Sequence, residues 1–129
     1  METKIPQTYI PGVCNIGEAE IDARKRIGWI GLAVTIVVWI LLDLLKVAPW
    51  LKLIIFLPAA MSATGFIQGF SHFCAGFGMR GVFNFGDTLN KTDTVEQAEF
   101  RAQDKKKARA IFLYSILAGI IVAAVAYLV

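Results

Sequence analysis

The last twenty residues of the chain, 110–129, contain no charged side chain, and they directly follow a basic run that ends at Arg109. About 20 apolar residues in a helix cross the roughly 30 Å hydrocarbon core of a bilayer. Two more long apolar stretches begin near Ile27 and Trp50, and 57% of the 129 residues are hydrophobic. A soluble domain of this size has too small an interior to bury three such segments. The sequence therefore predicts an all-α integral membrane protein with three transmembrane helices.

The chain divides into five predicted segments. They are a polar N-terminal arm over 1–23, transmembrane helix 1 over 24–47, transmembrane helix 2 over 50–77, a Gly/Phe-rich interfacial loop over 78–93, and a long helix over 94–129 that ends in transmembrane helix 3. Pro58 is expected to bend the second span. Asp93 or Thr94 is expected to cap the last helix, whose first third extends into the cytosol as a stalk.

The distribution of basic residues predicts the orientation. With a cytosolic N-terminus, eleven of the thirteen Lys and Arg residues lie inside, and only Lys46 and Lys52 lie outside. This predicts an outside C-terminus and a multi-pass protein of a bacterial inner (plasma) membrane. The residues assigned to topology, and to contact with anionic lipid, are Arg24, Lys25, Arg26, Lys105, Lys106, Lys107 and Arg109. The lipid bilayer is thus a predicted partner, whereas no base-reading motif indicates nucleic acid.

Small residues recur at helical spacing on two of the spans. Gly65 and Gly69 form a Gly-x-x-x-Gly motif on the second, and Ser115, Gly119 and Ala123 follow at four-residue steps on the third. Such faces let helix backbones approach closely. They predict helix packing, and contact with another membrane protein or with a second copy of the chain.

The candidate reactive residues are Cys74 and Cys14, with His72 and Arg80 nearby in sequence. Their predicted cytosolic side is reducing, so a permanent disulfide is not expected. A cation such as His72 or Arg80 would stabilise a Cys74 thiolate. His72, Cys74 and Cys14 are weak metal or haem candidates, because they are only three ligands and a helix would point the first two apart. No cofactor is expected, and a buried cysteine that packs as a small hydrophobe is the structural alternative.

Two short motifs suggest a family. Residues 14–17 (Cys-Asn-Ile-Gly), followed by Arg24, Arg26 and Gly28, and residues 64–69 (Thr-Gly-Phe-Ile-Gln-Gly), with Cys74 five beyond, resemble the YgaP-like transmembrane domain. The resemblance covers roughly residues 14–80, and the third span has no counterpart in that family. It implies a helical hairpin, which in the family is sometimes fused to or encoded beside rhodanese sulfurtransferase domains. For Cys74 it implies a membrane-facing site in a sulfur-handling neighbourhood.

Three functions are consistent with these features. The first is a small inner-membrane accessory or scaffolding protein that acts through helix–helix contacts. The second is a thiol or persulfide relay at the cytosolic face, centred on Cys74 with Cys14. The third is an oligomeric channel or transporter, which the absence of a polar lane through the spans disfavours. An enzyme is not favoured, and the sequence names neither a partner nor a transported substrate.

Overall fold

A computed structural model describes residues 9–89 and 91–129, so the first eight residues of the predicted arm lie outside the described part. Its helices are α1 (Glu18–Leu44), α2 (Phe56–Ser71), α3 (Ala75–Arg80) and α4 (Ala98–Leu128), with a 3₁₀ helix at Pro49–Ile55 leading into α2. Two short strands, β1 (Val82–Phe83) and β2 (Asp93–Thr94), pair antiparallel. Three helical stretches are long and apolar enough to cross a membrane: Glu18–Leu44, Pro49–Ser71 and Ala98–Leu128. The prediction of a mostly helical chain with three such helices is confirmed.

Helix α1 begins and ends earlier than the predicted 24–47. Its first turn carries Glu18 and Glu20, and acidic residues there stabilise a helix N-terminus because they complement the helix dipole. The helix ends at Leu44, and Lys46 then adopts a left-handed φ of 52°. Pro49 soon follows, and a proline disfavours helical geometry in the residue before it.

The predicted second helix over 50–77 starts within one residue of the observed helical stretch, which begins at Pro49, but its predicted end is six residues too late. The observed stretch starts as the 3₁₀ helix with Pro49 in the first turn, and Pro58 lies in the first turn of α2, where an amide hydrogen is not needed. Pro58 therefore marks the change from 3₁₀ to α geometry. The helix stops at Ser71, because His72 has a left-handed φ of 57°.

The predicted interfacial loop over 78–93 contains regular structure. Helix α3 runs into β1, which pairs with β2 so that Val82 lies opposite Thr94 and Phe83 opposite Asp93. Asp93 and Thr94 are thus strand residues and do not cap the last helix. Helix α4 begins at Ala98, and Gln97 precedes it without a side-chain capping bond. The boundary predicted at residue 94 was wrong, because strand pairing extends this part of the chain.

Helix α2 packs against both α1 and α4. A Cβ atom added at Gly65 would lie 2.5 Å from the amide nitrogen of Gly28, so the two backbones touch. A Cβ atom at Gly119 would lie 2.8 Å from the Phe56 ring, and Ser115 and Ala123 on the same face are buried. Both predicted small-residue faces therefore join spans of the same chain.

We use the name cap for the part of the structure around Cys74 that lies outside α1 and α2. It consists of residues 9–17, α3, the two strands and the first turns of α4 (98–109). The start of α4 packs on α3, with Phe73, Ala75, Ala108 and Ile111 buried together. The arm is fastened to α4 by the fully buried Asp104, which accepts hydrogen bonds from the Tyr9 hydroxyl and the Gly12 amide at 2.5 and 2.8 Å. The first third of α4 is thus part of a packed cap, and the predicted free stalk was wrong.

Candidate functional site

Cys74 lies at the junction between α2 and α3, directly before the first residue of α3. One side chain holds its backbone on both sides. The Cys74 amide donates to Asn15 Oδ1 at 2.7 Å, and Asn15 Nδ2 donates to the Cys74 carbonyl at 3.1 Å. An asparagine amide has one donor end and one acceptor end, so this pair of bonds uses both. Cys74 is therefore held in place by the N-terminal arm, and 5% of its surface is exposed.

A guanidinium group contacts the sulfur. Arg24 Nη2 donates to Cys74 Sγ at 3.1 Å, while Arg24 Nη1 lies 2.8 Å from Glu20 Oε2 in an ion pair. Glu20 and Arg24 are four residues apart on α1, a spacing that places two side chains on one helix face. The guanidinium also lies over the Phe77 ring, 5.5 Å from its centre. Carboxylate, ring and sulfur together fix the orientation of Arg24.

The network continues from Glu20 to Asn84. Glu20 is fully buried, and Asn84 Nδ2 donates to its Oε1 at 3.3 Å. The backbone of Asn84 pairs with the arm: its amide donates to the Asn15 carbonyl, and its carbonyl accepts from the Gly17 amide. On the α2 side, Gln68 Oε1 accepts from the Ala75 amide at 2.7 Å. The arm and α1, which lie 50–59 residues from Cys74 in the chain, thus bond to it directly, and Gln68 and Asn84 extend the network around it.

This arrangement suits a sulfur that carries negative charge. Hydrogen bonds with a charged partner are stronger than neutral ones, and a neighbouring arginine stabilises a thiolate. Glu20 offsets part of the charge of Arg24, but it also holds the guanidinium where one N–H group points at the sulfur. The geometry therefore provides a donor for a sulfur anion in a nearly dry site.

The structure places the predicted site residues differently from the expectation. Among the described residues, the side chains that hydrogen-bond to Cys74 are those of Arg24 and Asn15, and the Gly78 amide donates to its carbonyl at the start of α3. His72 ends α2, and its carbonyl accepts from the Asn15 amide at 3.2 Å. Arg80 Nε donates to the Gly76 carbonyl, and its guanidinium lies 5.2 Å from the Phe77 ring centre. The cation at the sulfur is Arg24, which was predicted from the sequence to act in topology and lipid contact and not as a partner of Cys74.

Cys14 lies in the cap, next to Asn15 in the chain. It is 1% exposed, and its Sγ donates weakly to the Ile16 carbonyl at 3.6 Å. Burial raises the pKa of the Cys14 thiol, because a low-dielectric environment disfavours the charged form. Cys14 and Cys74 are not joined by a disulfide. Within 9–89 and 91–129, the structure contains no group of three or more His, Cys, Asp or Glu residues that could hold a metal ion.

Sequence reasoning missed most of the residues around Cys74. The i,i+4 spacing of Glu20 and Arg24 was a detectable signal for an ion pair, and Asn15 stands in the motif that resembles the YgaP-like domain. Gln68 could be interpreted from the sequence as an interhelical hydrogen-bond partner, but not as a partner of the backbone next to Cys74. No local pattern connected Asn84 to Glu20, because 64 residues separate them.

Comparison of the chain with protein-family models, curated proteins and solved structures finds no match. The fold and the site define a small protein with three candidate transmembrane helices and a buried, arginine-bound thiol in a polar cap.

Proposed function

We propose that this protein is an integral inner-membrane protein whose cap lies on the cytosolic side, and that Cys74 is a carrier thiol for sulfane sulfur. The hydrogen bond from Arg24 Nη2 to Cys74 Sγ carries the proposal. The resemblance of residues 14–80 to the YgaP-like domain supports it, since that family includes members linked to rhodanese domains. The excess of basic residues near the cap supports the cytosolic placement.

The proposed reaction is a sulfur transfer without net oxidation. The Cys74 thiol first loses its proton to solvent. Its thiolate then attacks the outer sulfur of a donor persulfide, R–S–SH, and a new S–S bond forms as the donor S–S bond breaks. The donor leaves as the thiolate R–S⁻, which takes up a proton, and Cys74 becomes a persulfide. Transfer to an acceptor thiolate reverses these steps. Arg24 stabilises the negative charge on Sγ before the attack, and again when the sulfur is passed on and the Cys74 thiolate leaves.

The surroundings of the two thiols suggest different parts for them in this relay. Burial disfavours the thiolate of Cys14, whereas Arg24 donates to the sulfur of Cys74, so we assign Cys74 as the acceptor and Cys14 as the slower partner. Since Cys74 is only 5% exposed, the donor reaches it when the arm over residues 9–17 moves aside. Asn15 therefore both positions Cys74 and controls access to it.

The test measures alkylation of Cys74 by iodoacetamide in a Cys14→Ala background, in mild detergent at neutral pH. A hydrogen bond to a charged group contributes roughly 1.5–3 kcal/mol, so loss of Arg24 should slow alkylation by about tenfold or more. The variant is Glu20→Gln/Arg24→Gln, which removes both charges together and leaves no unpaired buried carboxylate. Arg24→Lys should restore part of the rate, and Arg26→Gln, an exposed neighbour on α1, is the control and should leave it unchanged.

A second measurement tests sulfur transfer directly. The Cys14→Ala protein is incubated with glutathione persulfide and examined by mass spectrometry for one added sulfur on Cys74, with the Glu20→Gln/Arg24→Gln variant beside it. Loading of Cys74 that falls in the double variant supports a carrier thiol. Equal alkylation rates in all variants, or no sulfur on Cys74 in the parent protein, would contradict the proposal.

A contact role is the second candidate, and one surface feature favours it. An open, apolar hollow of about 520 Å³ lies between α1 and the start of α2, lined by Val34, Val38, Ile54, Leu57, Pro58 and Met61. We propose a helix of another membrane protein, or of a second copy, as its occupant. Filling it with Met61→Trp should change migration on a native gel, whereas Phe112→Trp on the exposed side of α4 should not. Identical migration of both would argue against this role.

The third function, an oligomeric channel or transporter, receives less support. The buried hydroxyls of the spans, on Thr35, Ser62 and Ser115, all donate to backbone carbonyls. Thr35 and Ser115 bond to carbonyls of their own helices, and Ser62 on α2 bonds to the Gly28 carbonyl of α1, so all three hydroxyls are already satisfied by backbone and give no support to a polar lane.

A further inference from the structure

A second surface feature lies on the cap, away from Cys74. An open groove of about 410 Å³ lies between one face of α4 and the N-terminal arm. Its volume is typical of small-ligand sites. Its α4 wall consists of Gln103, Lys106, Lys107 and Ala110, at positions i, i+3, i+4 and i+7, so these side chains share one helix face. Its arm wall consists of Pro11, Gly12 and Val13.

The groove changes character along α4. Along the α4 wall, Gln103 with its amide lies at one end, Lys106 and Lys107 with their ammonium groups lie in the middle, and Ala110 lies at the other end. Ala110 begins the twenty-residue stretch without charge. A basic rim that passes into an apolar wall at the start of a candidate span matches a phospholipid, whose phosphate and acyl chains lie at the same two depths.

Asp104, the acidic residue next to Gln103 in the chain, already has partners. Asp104 is fully buried, and its two carboxylate oxygens accept from the Tyr9 hydroxyl and the Gly12 amide. It fastens the arm that forms the opposite wall. No carboxylate side chain is among the groove's lining residues, so the lysines offer their charge to a ligand.

We infer that this groove binds one anionic phospholipid, with its phosphate at Lys106 and Lys107 and an acyl chain along Val13 and Ala110. The inference is independent of the chemistry of Cys74. The lipid would hold the arm, the start of α4 and the membrane surface together.

The experiment titrates the full chain, in a neutral detergent, with dihexanoyl phosphatidylglycerol, dihexanoyl phosphatidylcholine or inorganic phosphate, and follows binding by calorimetry. We expect phosphatidylglycerol to bind at one site and to bind more tightly than either of the other two probes. Lys106→Gln/Lys107→Gln should weaken this binding about 25-fold, roughly 5-fold for each lysine beside a lipid phosphate.

The matched control is Lys105→Gln/Arg109→Gln, which removes the same charge from neighbouring positions of α4 that do not line the groove. It should change the affinity less than twofold. Val13→Glu, at an exposed position of the arm wall, should weaken binding while both lysines remain, and circular dichroism should show every variant folded.

Three results would overturn the inference. Equal weakening in the control pair would mean that the lipid senses only general surface charge. Equal affinity for phosphatidylcholine would remove the role of the lysines, and equal affinity for inorganic phosphate would assign the site to a free anion.

Discussion

Replacement of Gly65 by alanine tests a close backbone contact between α1 and α2. The added Cβ would lie 2.5 Å from the Gly28 nitrogen, 2.7 Å from the Arg24 carbonyl oxygen and 2.9 Å from the Gly28 Cα. All three atoms belong to the backbone of α1, so no side chain can rotate away and the helix must move. Such overpacking costs about 1–3 kcal/mol, and a backbone clash places Gly65→Ala near the upper end.

A smaller effect acts in the opposite direction. Alanine is favoured over glycine inside a helix by roughly 0.5–1 kcal/mol. The net loss in the free energy of unfolding is therefore about 2 kcal/mol, or roughly 30-fold in the equilibrium constant. The move of α1 also displaces Arg24, so alkylation of Cys74 should change in the same variant.

The assay is unfolding by sodium dodecyl sulfate in mixed micelles, followed by tryptophan fluorescence. Trp29 is a suitable reporter, because its ring packs edge-on against Phe66 at 5.1 Å across the α1–α2 contact. Gly76→Ala is the matched control. Its added Cβ meets only Cys74 Sγ at 3.8 Å, an ordinary contact distance. This control should be neutral or slightly stabilising. A loss below about 0.5 kcal/mol for Gly65→Ala, within the range of neutral surface changes, would refute the close-contact explanation.

Two further predictions concern the arm. Asp104→Ala removes the acceptor for Tyr9 and Gly12, which should cost about 3 kcal/mol at roughly 1.5 kcal/mol for each bond to a charged group. Limited proteolysis should then cut within residues 9–17 faster than in Gln103→Ala, and equal cleavage would contradict this anchoring role. Burial, and then the hydrogen bond to Asp104, raise the pKa of Tyr9. Above about pH 10, the ordinary pKa of tyrosine, the unfolded chain therefore loses a proton that the folded chain retains, and stability falls as the pH rises. In the same unfolding assay, Tyr9→Phe should remove the part of the decrease in unfolding free energy above about pH 10 that Tyr9 causes. If the unfolding free energy of Tyr9→Phe depends on pH as in the parent protein, Tyr9 is not the source of that decrease.

The sequence by itself determined the three apolar helices. Their length and lack of charge are properties of contiguous residues, and a twenty-residue uncharged stretch has few folded alternatives. It also identified Gly65 and Gly119 as packing positions, since small residues at four-residue steps lie on one helix face. The sequence did not reveal that both faces are used within a single chain, because that depends on which helices meet.

The tertiary structure alone decided the surroundings of Cys74. Asn15, Arg24, Gln68 and Asn84 come from four separate segments, and only folding brings them together through buried hydrogen bonds. The same long-range bonds explain the wrong boundaries: the second span stops at Ser71 because Asn15 and Gln68 hold the following residues, and Asp93 pairs with Phe83 instead of capping α4. The local sequence pattern determines which segments are apolar enough to enter a membrane. The structure of the cap depends instead on hydrogen bonds between buried polar groups that are far apart in the chain.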